Sequence, residues 1–173
     1  MSPTPKHATT APAEVARAIF VAVNARDADA MVALAAPDVH DDVVAVGEFH
    51  GHTEVRGFFV ELFAAFPDFT MTVERIAADG PTVVVQWRAE GTFTGQPFLG
   101  IVATGRHVTI KGVDVMDIED GLLQHNTVYY DGASLARQVG LLPKKDSLGD
   151  RAVVGGFNLL TRATGLVRQR LAR

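Results

Sequence analysis

The chain has 173 residues, long enough for one domain with a buried core, and its 47% hydrophobic and 21% charged content is ordinary for globular proteins. It contains no cysteine, which excludes disulfides, thiolate metal sites and cysteine nucleophiles. The net charge of −4 is unevenly distributed, because the residues from Lys144 onward carry +5 and leave −9 for the rest. An acidic body of this kind does not attract nucleic acid, so nucleic-acid partners are not expected.

The N-terminal residues 1–11 lack the apolar core of a secretory signal and are predicted to form a disordered leader. No apolar run approaches the roughly 18 residues that a membrane span needs. A cytoplasmic location is therefore the expectation. The main domain is predicted over residues 12–143.

Hydrophobic residues at spacings of three and four predict three helices, over residues 12–26, 29–35 and 53–66. The second is expected to stop before Pro37, because the residue before a proline avoids the helical conformation. A short strand is predicted at residues 40–46.

After Pro67 the hydrophobic period changes to two, which is typical of strands. Strands are predicted at residues 69–74, 82–94, 107–118 and 122–130, the last two forming a hairpin around Glu119, Asp120 and Gly121. The sequence thus predicts an α+β fold: a curved, mixed but mostly antiparallel sheet that wraps around three helices as a cone-shaped half-barrel. The mouth of such a cone is expected to be an apolar pocket with a few polar groups.

The C-terminal residues 144–173 are predicted to form a basic amphipathic helix. Its apolar stripe comprises Val153, Phe157, Leu160, Thr164, Val167 and Leu171. One interpretation is that the helix docks on its own domain or on a dimer mate. The other is contact with a membrane surface.

An acidic residue, Asp131, follows the last predicted strand and precedes a short helix. It could cap that helix, since aspartate is a favoured N-cap residue. It could also be desolvated under apolar residues and act as a proton-transfer group. The two roles are compatible.

Several segments together resemble the SnoaL-like polyketide cyclases of the nuclear transport factor 2-like superfamily. They are APDVHDD (36–42), HGHTEVRGFFVELFAAFPDFTMTVERIAADGPTVVVQWRAEGTFTG (50–95) and ATGRHVTIKGVDVMDIEDGLLQHNTVYYDGASLARQVGLLP (103–143). The resemblance implies a cone-shaped barrel that forms a homodimer through its sheet. It also implies an intramolecular aldol cyclisation that needs no cofactor and no metal. An acid at the end of the last strand serves as general base and acid in such proteins, and Asp131 occupies that position.

Strict alternation along the last strand would place Leu123, His125, Thr127, Tyr129 and Asp131 on one face, which is predicted to face the pocket. His125 and Thr127 stand where many family members carry glutamate and a large aromatic residue. The predicted catalytic residues are Asp131, Asp117 and His125. The predicted pocket residues are His40, Phe63, Phe66, Trp87, Thr127 and Tyr129.

Several of these residues also have structural interpretations. Asp117 could be a solvated strand residue, and His125 could be a structural histidine rather than a partner of Asp131. Asp41 and Asp42 are expected to be solvated or structural. His50 and His52 are interpreted as loop residues rather than a metal pair, since the resemblance implies no metal.

Three functions remain open at this level. The first is acid/base cyclisation or isomerisation of a polyketide-like or other hydrophobic carbonyl compound, with Asp131 as the base. The second is chemistry like that of limonene-epoxide hydrolase, with Arg88, Glu90 and Asp131. Against it, alternation puts Arg88 and Glu90 opposite the apolar face that bears Trp87. The third is a non-catalytic module for small-molecule binding or assembly.

Overall fold

A computed structural model describes the backbone of residues 11–171 and the side chains of residues 11–162. The leader predicted at residues 1–11 lies almost wholly outside the described residues. The helices are α1 (Pro12–Ala25), α2 (Ala28–Val32), α3 (Gly51–Ala65), α4 (Gly132–Val139) and α5 (Leu148–Leu171). The strands are β1 (Ala35–Val43), β2 (Gly47–His50), β3 (Thr70–Asp79), β4 (Thr82–Thr92), β5 (His107–Glu119) and β6 (Leu122–Tyr130).

The helices follow the hydrophobic spacing closely. Helix α1 ends one residue before the predicted end because Arg26 adopts a left-handed conformation with φ of 55° and terminates it. Helix α2 is shorter than predicted. It begins after Asp27, whose carboxylate accepts a hydrogen bond from the Ala30 backbone N–H at 2.9 Å, and strand β1 already starts at Ala35.

The six strands form one sheet in the order β2-β1-β6-β5-β4-β3. Strands β1 and β6 are parallel, and every other neighbouring pair is antiparallel. Helix α1 packs against β3 and β4, and α3 packs against β1. The predicted α+β fold, a curved mostly antiparallel sheet wrapped around three helices, is confirmed.

The β1–β2 region differs from the sequence prediction. The strand expected at residues 40–46 instead spans Ala35–Val43, and Pro37 lies in the irregular stretch between Ala35 and His40, where a proline breaks no ladder bond. Strand β2 was not predicted, because its four residues are exposed or half-buried and show no alternation. The predicted loop at His50 and His52 is wrong, since His50 ends β2 and His52 lies in α3.

A bulge in β6 determines which residues of that strand face the helices. Asp117 pairs with His125 and Ile118 pairs with Leu123, so Gln124 is an extra residue without a partner on β5. One inserted residue exchanges the two faces of everything that follows. Leu123 therefore points inward before the bulge, and Asn126, Val128 and Tyr130 point inward after it.

Helix α5 begins close to the predicted position. Within the described part of the chain, it packs against no other helix or strand, so docking on its own domain is not observed. The apolar side chains of Val153 and Phe157 are exposed. Among the described helices, none is both long and apolar enough to cross a membrane.

Candidate functional site

A cavity lies between the inner face of the sheet and helices α1–α3, and its wall is predominantly apolar and includes several aromatic side chains. Trp87 of β4 and Tyr130 of β6 form part of the sheet side. Six of the ten phenylalanines also line it: Phe20, Phe58, Phe59, Phe66, Phe69 and Phe98. A wall of this composition favours a flat, apolar ligand that is largely removed from water.

Three polar side chains are fully buried in the described part of the chain, and all three line this cavity. They are Asp41 on β1, Asp114 on β5 and Asn126 on β6, which are 4%, 7% and 6% exposed. Burying a carboxyl group costs free energy unless it is hydrogen-bonded or protonated. The presence of two carboxyl groups among aromatic side chains therefore indicates a functional site rather than ordinary core packing.

The Asp114 carboxyl is held by the indole of Trp87, whose Nε1–H donates to Oδ1 at 2.7 Å. Gly112 lies opposite Trp87 in the β4–β5 ladder, and a Cβ at this position would overlap the indole ring. The glycine therefore leaves the space in which the ring lies. Burial is the main cause that raises the pKa of Asp114 to about 7, against the opposing effect of the Trp87 hydrogen bond.

Asn126 lies beside both carboxyls. Its Nδ2 donates to Oδ1 of Asp41 at 3.0 Å, and its side chain also helps to lower the pKa of Asp114. Burial nevertheless raises the pKa of Asp41 to about 6, and the charge of Asp41 in turn raises that of Asp114. The buried Oδ1 of Asn126 has no hydrogen-bond partner among the described residues, which leaves an acceptor available to a donor at the site.

A carboxyl with a pKa of about 7 is present in both protonation states near neutral pH. It can therefore accept a proton and return it within one reaction cycle. The group is only 7% exposed, and this removal from water distinguishes its pKa from that of an ordinary aspartate.

Asp131 lies elsewhere. Its carboxylate caps α4 by accepting the Ser134 backbone N–H at 2.9 Å, and the residue is exposed rather than part of the cavity lining. The expectation that Asp131 is desolvated under an apolar lid is wrong, because β6 ends before it and the helix cap holds it at the surface.

The predicted inward face of β6 is correct at Leu123 but wrong after it. The bulge at Gln124 places His125, Thr127 and Tyr129 on the outer face of the sheet, where Tyr129 is 52% exposed. Asp117 lies on the same outer face, with an oxygen 4.0 Å from Nδ1 of His125. It also accepts a hydrogen bond from Thr82 Oγ1 at 2.8 Å.

The remaining predicted residues divide into two groups. Phe66 and Trp87 line the cavity, whereas Phe63 packs against the core behind the lining and His40 lies on the outer face. Asp41 was expected to be solvated or structural, but it is a buried cavity residue.

An epoxide-hydrolase arrangement is only partly present. Arg88 pairs with Glu90 and, at 3.7 Å, with Glu74, and Glu90 contributes to the cavity lining whereas Arg88 does not. Asp131 is held at the start of α4.

The sequence prediction missed Asp114 and Asn126. A signal for Asp114 was present, because it is the acidic member of an otherwise apolar or glycine series on one face of β5. That series is Val108, Ile110, Gly112, Asp114, Met116 and Ile118. Asn126 gave no such signal, because the bulge reverses the alternation along β6 and nothing in the sequence indicates the bulge.

A family model for SnoaL-like polyketide cyclases matches residues 13–139, and the chain belongs to this family. Among curated proteins, none matches the chain.

Solved structures support the fold. A proposed SnoaL-like polyketide cyclase from a Jannaschia species has a TM-score of 0.71 at 21% identity, covering 82% of this chain and all of its own. AclR, a proposed hydroxylase from Streptomyces galilaeus, has a TM-score of 0.68 at 20% identity over 79% of this chain and 89% of its own. A Catenulispora acidiphila protein with a ketosteroid isomerase-like fold, solved with trimethylamine, has a TM-score of 0.63 at 18% identity over 73% and 92%. Nuclear transport factor 2-like architecture is thereby shown.

Proposed function

We propose that this protein catalyses proton transfer at carbon in a hydrophobic carbonyl compound, leading to aldol cyclisation or isomerisation, with Asp114 as the acid/base group. The observation that carries the proposal is the position of Asp114, a buried carboxyl in an aromatic cavity with a pKa raised to about 7. Membership of the SnoaL-like family supports the reaction class.

In the proposed reaction, the Asp114 carboxylate takes a proton from a carbon next to a carbonyl group. The C–H electron pair delocalises into that carbonyl as an enolate. For cyclisation, the enolate carbon attacks a second carbonyl of the same molecule, and the new alkoxide takes the proton back from Asp114. For isomerisation, Asp114 returns the proton to a different carbon of the same conjugated system.

The neighbouring groups have distinct proposed tasks. The Trp87 N–H stabilises the charged form of Asp114 and fixes its orientation. Asn126 holds Asp41, and its unpartnered Oδ1 would accept a hydrogen bond from a ligand hydroxyl. The aromatic wall would hold the substrate in the folded conformation that ring closure needs.

The first test measures proton abstraction directly and does not require the natural substrate. A panel of aryl and alicyclic 1,3-dicarbonyl compounds is incubated with the protein in D2O, and NMR follows deuterium entering the carbon between the carbonyls. We expect Asp114→Asn to reduce the protein-dependent exchange rate by about a hundredfold or more. Asp131→Asn is the matched control, because it removes an exposed carboxylate and should leave the rate unchanged.

Equal rates for Asp114→Asn and the parent protein would contradict the role of Asp114. Loss of exchange in Asp131→Asn, with its folding intact, would restore the role first expected for that residue.

A second candidate function is binding without catalysis. It is favoured by the fact that Asp41 and Asp114 each already have a hydrogen-bond partner in the protein, as structural carboxyls do. This alternative would be supported over catalysis if dicarbonyl compounds raise the melting temperature of the protein but exchange deuterium no faster with the protein than in buffer.

We also propose that two chains associate through the outer face of the sheet. The side chains of Val84 and Tyr129 are 38% and 52% exposed there, and they lie beside the half-buried Val113 and Val115. Light scattering should give twice the chain mass of 18.5 kDa, and Tyr129→Glu should shift the population toward the single chain.

A further inference from the structure

Three histidines lie in a row across the outer face of the sheet. His40 of β1 is the register partner of His50 on β2 and of His125 on β6. We call these three residues the histidine row. Because the backbone register sets the alignment, the rings lie next to each other: the His40 ring stacks on His50 at 4.4 Å and on His125 at 4.8 Å between centroids.

A carboxylate joins the β1–β2 end of the row. Glu48 places Oε2 3.2 Å from Nε2 of His40 and 3.7 Å from Nε2 of His50. One ligand atom from each of these three side chains lies within 4.8 Å of the other two. Because the His40 and His50 rings are stacked within 19° of parallel, both must turn toward each other to coordinate one ion about 2.1 Å away, and the exposed ends of these side chains allow that rotation.

The local backbone holds this geometry in place. His50 ends β2 and precedes α3, and its backbone N–H donates to Oε2 of Glu54 at 2.8 Å.

Further carboxylates lie around the row. At its other end, Asp117 lies 4.0 Å from His125. Asp42 is on the same face of β1 as His40, since the alternate residues Asp41 and Val43 point inward. The surroundings of the row are thus rich in carboxylates, which favours a bound cation.

We propose that His40, Glu48 and His50 form a binding site for a divalent transition-metal ion of the Zn²⁺ class, distinct from the cavity around Asp114. Two imidazoles and one carboxylate are a donor set that suits Zn²⁺ and similar ions and leaves a coordination position for water. All three ligands lie on the β1–β2 hairpin, so the ion would tie the edge strand β2 to β1. His52 is outside the site, because its Nε2 is bonded to the Ala35 carbonyl oxygen at 3.0 Å.

The test is calorimetric titration of the full chain, stripped with a chelator, with Zn²⁺ alone. We expect one equivalent to bind to the parent protein. His50→Gln and Glu48→Gln should each weaken binding by at least about tenfold. His107→Gln is the matched control, because His107 lies on β5 outside the row, beside Thr92, and its loss should leave binding unchanged.

Hydrogen exchange provides a readout that links the ion to the hairpin. Saturating Zn²⁺ should slow amide exchange in residues 47–50 of the parent protein but not of Glu48→Gln. Absence of a saturable equivalent, or equal affinity in the parent protein and His50→Gln, would overturn the proposal. An equal loss in His107→Gln would overturn it too, since the ion would then bind elsewhere. Deuterium exchange at the dicarbonyl carbon does not depend on this site, so the two proposals fail separately.

Discussion

At the scale of single residues, the environment of a carboxyl group decides its chemistry. Asp131 and Asp114 have the same side chain, but Asp131 follows the last strand and caps a helix in solvent, whereas Asp114 lies on β5 and is buried among aromatic rings. Burial disfavours the charged form and raises the pKa of Asp114 to about 7, from the 3.8 of a solvated aspartate. The buried group is therefore the one suited to proton transfer near neutral pH.

This raised pKa has a consequence for stability. Between pH 4 and pH 7 the unfolded chain has released the Asp114 proton while the folded protein retains it, so the free energy of unfolding falls as pH rises through this window. Asp114→Asn cannot ionise and should lose this pH dependence. The difference in free energy of unfolding between the variant and the parent protein should therefore shift in favour of the variant by on the order of a few kcal/mol from pH 4 to pH 8, as measured by urea unfolding. The same relative stability at both pH values would contradict the raised pKa.

Trp87 opposes the effect of burial, because its N–H bonds to the charged form of Asp114. Trp87→Phe removes the donor and keeps an aromatic ring, so the pKa of Asp114 should rise further. The midpoint of the pH–rate profile for deuterium exchange should move upward by about one pH unit or more. A midpoint that stays in place or moves downward in a folded variant would show that the indole does not control this carboxyl.

At the scale of elements, the bulge in β6 explains why the site differed from the sequence prediction. Alternation starting from Leu123 was a sound inference for a regular strand, and it failed because Gln124 has no partner on β5. Its side-chain Nε2 instead donates to the carbonyl oxygens of Glu119 and Leu122, at 3.3 and 3.2 Å. These local contacts leave no hydrophobic signature in the sequence.

Deletion of Gln124 tests this account of the strand. Without the extra residue, strict alternation cannot keep both Leu123 and the set Asn126, Val128 and Tyr130 on the inner face, so one of them must turn outward. The deletion should therefore destabilise the protein by several kcal/mol or prevent folding. Gln124→Ala is the matched control, since it keeps the residue count and removes only side-chain contacts, with an expected loss of about 1 kcal/mol or less. Similar unfolding midpoints for the two variants would contradict a required bulge.

Other elements show how far the sequence could lead. Strands β5 and β6 and helix α3 were predicted within two residues at each end, because their periodicity is set by burial on one face. Strand β2 could not be predicted, since it is short and without a buried face. Asp114 could have been found from the sequence as the charged residue on an apolar strand face. Asp41 could not, because only the parallel pairing of β1 with β6 places it beside Asn126 in the cavity.

The close packing of β4 and β5 gives a further prediction. Gly112→Ala would place a methyl group against the Trp87 ring, which must then shift away from Asp114. We expect a loss of stability of about 1–3 kcal/mol in thermal or urea unfolding, together with slower deuterium exchange. Gly57 provides the control, since a Cβ there meets no atom within 4 Å, and Gly57→Ala should be tolerated.

At the scale of the whole molecule, the chain combines an acidic domain with a basic C-terminal segment, and only the domain is covered by the family model. The domain has two separate polar sites on opposite faces of one sheet: the cavity around Asp114 and the histidine row. The inner face carries the proposed site for an apolar ligand, and the outer face carries the proposed sites for a cation and for a second chain. Because the two faces are separate, we expect the proposed chemistry at carbon and the proposed metal binding to be independent of each other.

The central claim is that Asp114 titrates near neutral pH inside the cavity. The most direct measurement is an NMR titration of the aspartate side-chain carboxyl carbons, with Asp114→Asn used to assign the Asp114 signal. We predict that this signal titrates with a midpoint of about 7. A midpoint near the 3.8 of a solvated aspartate would contradict the account, because Asp114 would then be fully ionised and too weak a base for the proposed proton transfer.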